Sequence, residues 1–147
     1  MTSIEIAFQI LGHDEHVPVG YKPATGHIIF DVKMDFTRKA RWVLDGHKCE
    51  DPYGSTYAGV VSRDSVRIGL TYAMLNDLEV CAVDIRNAYL LAPSSQKDYI
   101  ICSPEFGIEN IGKRALIKMA LYGGMTAVRD FKNHIKQGIL IKTSDIV

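Results

Sequence analysis

An α+β fold is predicted by three features of this 147-residue sequence. Short runs of β-branched and aromatic residues are bounded by Gly, Pro, Asn and Asp. Two segments carry apolar residues at helical spacing behind a Ser or Thr that can cap them. The strand-like runs are mixed with helices that stay segregated. One domain is the default at this length, and the composition, 47% hydrophobic and 23% charged, is ordinary for a soluble globular chain.

Taken in order, residues 4–11 alternate and then run apolar, which predicts a strand. Residues 12–20 are polar, contain Pro18 and read as a loop. His13 and His16 lack a second ligand pair at metal spacing, so they are assigned to the surface. Residues 27–33 and 40–44 are strand candidates joined by a polar, basic turn, and the second ends at Asp45-Gly46, a strong turn dipeptide. An antiparallel hairpin follows. Lys39 and Arg41, two apart, would share one of its faces and suit a phosphate chain, or be ordinary charges on an exposed hairpin.

Residues 49–61 form a Gly-, Pro- and Ser-containing loop. Ser62 then caps a helix over 63–76, with Asp64 in its first turn and Val66, Leu70, Ala73 and Met74 as its buried stripe. Residues 79–84 read as a buried strand that delivers Asp84 to its end, before a tight turn with Arg86, Asn87 and Tyr89. A strand-end acid suits a metal ligand, because a packed strand fixes its position; it equally suits capping the next turn. Residues 98–102 are a strand candidate, 104–112 a loop, and 113–121 ambiguous between strand and helix. Thr126 caps a last helix to about residue 137, burying Val128, Phe131 and Ile135, with Gly138 as its stop. The domain is thus drawn at 1–138, with a tail at 139–147 of undefined structure.

Lys plus Arg equals Asp plus Glu, yet the charges are patchy. Basic residues dominate 33–48 and again 113–136. These stretches would line an anion-binding cleft if the fold joins them, and are two solvated faces if it does not. Cys49, Cys81 and Cys102 lie far apart with no secretory signal before them, which fits reduced thiols in an intracellular protein, cytoplasmic or nuclear. No stretch reaches the length of a membrane span.

Several motifs occur in a fixed order: residues 28–43, 57–68, Val-Asp-Ile-Arg-Asn-Ala-Tyr-Leu at 83–90, Ala-Leu-Tyr-Gly at 120–123, and Arg-Asp-Phe-Lys-Asn-His at 129–134. Together they resemble the reverse transcriptase region of copia-type retrotransposon polyproteins, over roughly residues 5 to 137. The resemblance implies a partial right-hand polymerase fold, the fingers hairpin plus the first part of the palm. It implies an RNA-directed DNA polymerase chemistry, a Mg²⁺-dependent nucleotidyl transfer to a primer 3′-hydroxyl. Asp84 matches the first catalytic aspartate and, with the carbonyl of Ile85, would hold Mg²⁺. Asn87 and Ala88 would offer backbone N–H groups to the triphosphate. Tyr89 would pack under the sugar, Tyr122 and Gly123 would floor the nucleotide pocket, and Lys39 or Arg41 would clamp phosphates. The implied partners are an RNA or DNA template–primer and deoxynucleoside triphosphates.

Two-metal transfer needs further carboxylates. The family supplies them from a Tyr-x-Asp-Asp hairpin, whereas Asp130 and Asp145 are the acids that follow Tyr122 here, and neither lies in a pair. Gly124-Met125 also replaces the family's usual Leu-Lys. The expectation is therefore a truncated, degenerate copy, inactive alone and prone to self-associate through an exposed palm edge. The alternatives are a non-catalytic nucleic-acid-binding fragment and a functionless relic.

Overall fold

The computed structural model describes residues 3–52 and 55–144. The elements are α1 (Ser3–Ala7), β1 (Phe8–Ile10), β2 (Lys22–Pro23), β3 (Gly26–Val32), β4 (Arg38–Leu44), α2 (Arg63–Leu75), β5 (Asp98–Ile101), β6 (Arg114–Ile117) and α3 (Ala127–Ser144). Short 3-10 turns at Gly46–Lys48, Ala88–Leu91, Pro104–Phe106 and Ile108–Asn110 complete the set.

Two sheets organise the chain. One is four-stranded in the order β1-β6-β5-β2, antiparallel except for the β2–β5 pair. Its main core gathers Ala7, Phe8, Leu44, Ile100, Cys102, Phe106, Ala115, Ile117 and Leu121. Phe8 meets both Trp42 and Phe106 edge-on, with ring centroids 5.2 and 5.1 Å away. The other sheet is the β3–β4 hairpin, in register from Gly26↔Leu44 to Val32↔Arg38. Its base joins the main core through Leu44 and Trp42, while Phe30, Met34 and Phe36 toward its tip are exposed.

The hairpin, the strand at 98–101 and the Ser62-capped helix agree with expectation. Ser62 Oγ accepts from Ser65 N at 3.0 Å. The ambiguous run at 113–121 contains strand β6, because it lies between β1 and β5 and exchanges backbone bonds with both. Among the described residues, no helix is long and apolar enough to cross a membrane.

Four expectations are corrected. The predicted strand at 4–11 is divided: Ile4 and Ala7, three apart, both meet the core, so the chain turns helically before β1 begins. Residues 79–84 are not a strand; they are irregular and exposed, as is Asp84. A strand needs a neighbour for its backbone groups, and among the described residues none pairs there. The stripe on α2 has the right period but no cover, since only Ala73 is buried, and Val66, Leu70 and Met74 are exposed. Finally, Gly138 does not stop α3, which continues to Ser144 across the boundary drawn at 138. A lone glycine weakens a helix by about 1 kcal/mol relative to alanine without ending it. Of α3's expected buried face, Phe131 and Ile135 are half-buried and Val128 is exposed. Residues 145–147 of the expected tail lie outside the described residues.

Gly69 sits within α2 with open space where a β-carbon would be. Gly69→Ala is therefore expected to stabilise the chain by about 0.5–1 kcal/mol, measured as a shift in the denaturant midpoint.

Candidate functional site

Two turns and the hairpin base converge on one place. Residues 121–124 form a turn that docks against the end of β4, where Leu44 N donates to the Tyr122 carbonyl at 2.8 Å. Gly123 has φ +81°, and a β-carbon there would overlap the Leu44 carbonyl oxygen. A β-carbon on Gly46 would in turn overlap the Gly123 carbonyl. Both glycines are thus required by close backbone approach, and Gly123 by its left-handed conformation as well.

The second turn begins at Asn87, itself left-handed at φ 53°, ψ 39°. Asparagine tolerates this region better than most residues. Leu90 N donates back to the Asn87 carbonyl at 2.9 Å, closing the 3-10 turn that carries Ala88 and Tyr89. Tyr89 is wedged edge-on between Tyr122 (4.9 Å) and Phe131 of α3 (5.9 Å). From β4, the Arg41 guanidinium lies 5.7 Å from the centre of the Tyr122 ring. Arg41, Trp42, Asn87, Leu90 and Tyr122, with Phe8 behind them, line a cavity of about 110 Å³.

The structure therefore brings together Arg41, Asn87, Ala88, Tyr89, Tyr122 and Gly123. Lys39 is half-buried on β4 opposite Asp31 and does not line this cavity. Asp84 and Ile85 are exposed on the irregular segment before the second turn, and neither lines it. Among the described residues no group of three or more His, Cys, Asp or Glu side chains is placed to hold a metal ion. Asp84 alone does not make a magnesium site, because one exposed carboxylate supplies too few of the oxygen ligands the ion requires.

A carboxylate that the sequence reading took only as turn chemistry organises the hairpin base. Buried Asp45 accepts from Thr25 Oγ1 at 2.8 Å and Lys48 Nζ at 3.0 Å, and pairs with His27 Nδ1 at 2.8 Å. Lys48 and Thr25 are the main causes that hold its pKa down at about 2, against an ordinary 3.8. The contribution is fully present above the unfolded value and is lost as pH falls through the folded one. The stability gap between wild type and Asp45→Asn is expected to narrow from pH 5 to pH 2, followed by urea denaturation at each pH. A constant gap would assign Asp45 no titrating role.

A similar node secures the start of α3. Buried Asp130 accepts from Thr126 Oγ1 at 2.8 Å and from Ser95 N and Oγ at 3.0 and 2.9 Å. Arg129 reaches Ser95 Oγ and the Ser55 carbonyl, each at 2.8 Å. Neither node was legible beforehand, because each joins residues far apart in sequence.

No family model matches the chain, and no solved structure matches it. Over 97 residues, 65% of the chain, it is 33% identical to the Transposon Ty1-BL Gag-Pol polyprotein of Saccharomyces cerevisiae, of which that stretch is 5%. The Ty1-DR4 and Ty1-DR6 Gag-Pol polyproteins of the same yeast match over the same length at 33% identity, with 6% and 5% of each covered. The chain thus spans a small fraction of the relatives it matches, and those relatives are Gag-Pol polyproteins of a copia-type retrotransposon.

Proposed function

We propose that this chain corresponds to the fingers and first palm segment of a retrotransposon reverse transcriptase, and that it binds the triphosphate of a nucleotide without completing transfer. The observation that carries the reading is the convergence of Arg41, Asn87, Tyr89 and Tyr122 from two turns and a hairpin. A guanidinium supplies charge-assisted contacts to phosphate oxygens. The Asn87–Tyr89 turn supplies backbone groups beside it, and Tyr89 a ring for the sugar. Similarity to Ty1 Gag-Pol polyproteins supports the same reading.

Magnesium would enter with the nucleotide, because Mg²⁺ takes many of its ligands from substrate phosphates and water. Asp84 and the Ile85 carbonyl would add to those ligands. Transfer itself calls for a second ion held by further carboxylates, and the sequence contains no Asp-Asp pair to hold it.

The test combines two titrations of the purified chain. A fluorescent deoxynucleoside triphosphate with Mg²⁺ is expected to bind saturably and to weaken as salt rises. A primer–template supplied with nucleotides and Mg²⁺ is expected to show no extension. Absence of nucleotide binding in conditions where the chain is folded would overturn the reading. If duplex binds but nucleotide does not, the chain is instead a nucleic-acid-binding module that uses the basic hairpin. Template-dependent extension abolished by Asp84→Ala would show a complete catalytic site and overturn the binding-only part.

A further inference from the structure

Helix α2 buries almost none of its surface. It is 13 residues long, and Ala73 is its one buried residue. A helix of that length is marginal in water by itself and is stabilised by packing an apolar face. Val66, Leu70 and Met74, each four apart, form such a face, and they are 43%, 50% and 72% exposed. Val60 and Val61 before the helix, and Leu78 and Val80 after it, are exposed as well.

The order of residues along this face singles out its partner. Val66 and Met74 lie equally far from Leu70 in sequence, and so do Arg63 at the helix start and Asp77 just past its end. Two copies laid antiparallel, with Leu70 against Leu70, therefore set Val66 against Met74 and Arg63 against Asp77 at both ends. The exposed valines before one helix then fall beside Leu78 and Val80 after the other. A parallel pairing would set Arg63 against Arg63 and Asp77 against Asp77, which like-charge repulsion disfavours. Among the described residues neither Arg63 nor Asp77 has an ion-pair partner within the chain, whereas Arg67 lies 3.7 Å from Asp64. Opposite charges at the two ends also suit a second helix better than an anionic lipid surface, which calls for a row of cations.

We infer that the chain forms a symmetric dimer through α2, in which the α2 helix of a second copy covers the face of Val66, Leu70 and Met74 in the antiparallel sense. A two-fold interface needs a surface complementary to itself, and each of these contacts would be made twice. The contact uses a helix face, not the sheet edge through which self-association was expected. It is independent of the nucleotide reading, since no residue of α2 lines that cavity.

The test is sedimentation equilibrium of the intact chain over a range of concentrations. Wild type is expected to pass from monomer to dimer as concentration rises, and no further. Leu70→Asp is expected to stay monomeric, with unchanged fluorescence from Trp42 in the main core, because Leu70 is exposed in the single chain. Arg63→Glu is expected to weaken the dimer about fivefold, since it turns both end pairs into repulsions. Adding Asp77→Lys to Arg63→Glu is expected to restore it. A chain that is monomeric at every concentration, whether or not it binds anionic vesicles, would overturn the inference. So would assembly beyond the dimer, a dimer that survives Leu70→Asp, or a weakened Arg63→Glu dimer that Asp77→Lys does not restore.

Discussion

Gly123→Ala is expected to destabilise the chain by about 3 kcal/mol and to weaken nucleotide binding in the same protein. The left-handed conformation at φ +81° costs an alanine roughly 1 kcal/mol relative to glycine. The overlap with the Leu44 carbonyl adds to this, because backbone cannot move aside as the far end of a flexible side chain can. Relief requires the turn to lift off β4, which breaks the bond from Leu44 N to the Tyr122 carbonyl and carries the Tyr122 ring away from Arg41. A loss of this size is a large part of the 5–15 kcal/mol that typically separates folded from unfolded domains. Chemical denaturation measures it, and Gly69→Ala, also Gly to Ala but at an open helical position, is the internal control. An equal and small effect at both positions would show that the docking of residues 121–124 on the hairpin base is not a fixed feature of the fold.

Much of this fold is local, and the local part was legible. The hairpin follows from two β-branched runs and the turn between them, and the α2 start from the reach of one serine hydroxyl to the third residue on. What failed was the inference from pattern to burial. Residues 79–84 have a strand's composition, and α2 has an amphipathic period, yet composition cannot provide the neighbour that pairs with one or covers the other. Val80, Val83 and Ile85 are exposed, and among the described residues no strand pairs with the segment that carries Asp84.

The candidate site divides along the same line. Asn87, Ala88 and Tyr89 are neighbours in sequence, and their grouping with Tyr122 and Gly123 came from the order of motifs. Motif order left Lys39 and Arg41 both open, and of the two Arg41 stands over Tyr122 while Lys39, on the same strand, does not line the cavity. Asp45 illustrates the reverse case. It was visible as half of a turn dipeptide, but its three side-chain partners come together only once β3 and β4 pair and place Thr25 and His27 beside it.

Arg41→Ala is expected to weaken binding of a deoxynucleoside triphosphate by about tenfold or more, with little change in stability. Arg41 is exposed, so its removal leaves no cavity in the core, and its guanidinium is the cation that the structure sets beside Asn87 and Tyr122. Arg41→Lys is expected to fall between wild type and alanine: the charge is kept, but the planar group that rests against the Tyr122 ring and can face two phosphate oxygens is lost. Tyr122→Phe keeps that ring and should bind nearly as wild type, whereas Tyr122→Ala removes both the support for Arg41 and the edge contact of Tyr89. If positioning by Tyr122 is how Arg41 acts, Arg41→Ala and Tyr122→Ala are less than additive when combined. Lys39→Ala serves as the comparison on the same strand. Should Lys39→Ala abolish nucleotide binding while Arg41→Ala leaves it intact, the phosphates lie along the hairpin rather than at the junction of the two turns. The assignment of Arg41 as the clamp then fails, even though the chain still binds its nucleotide.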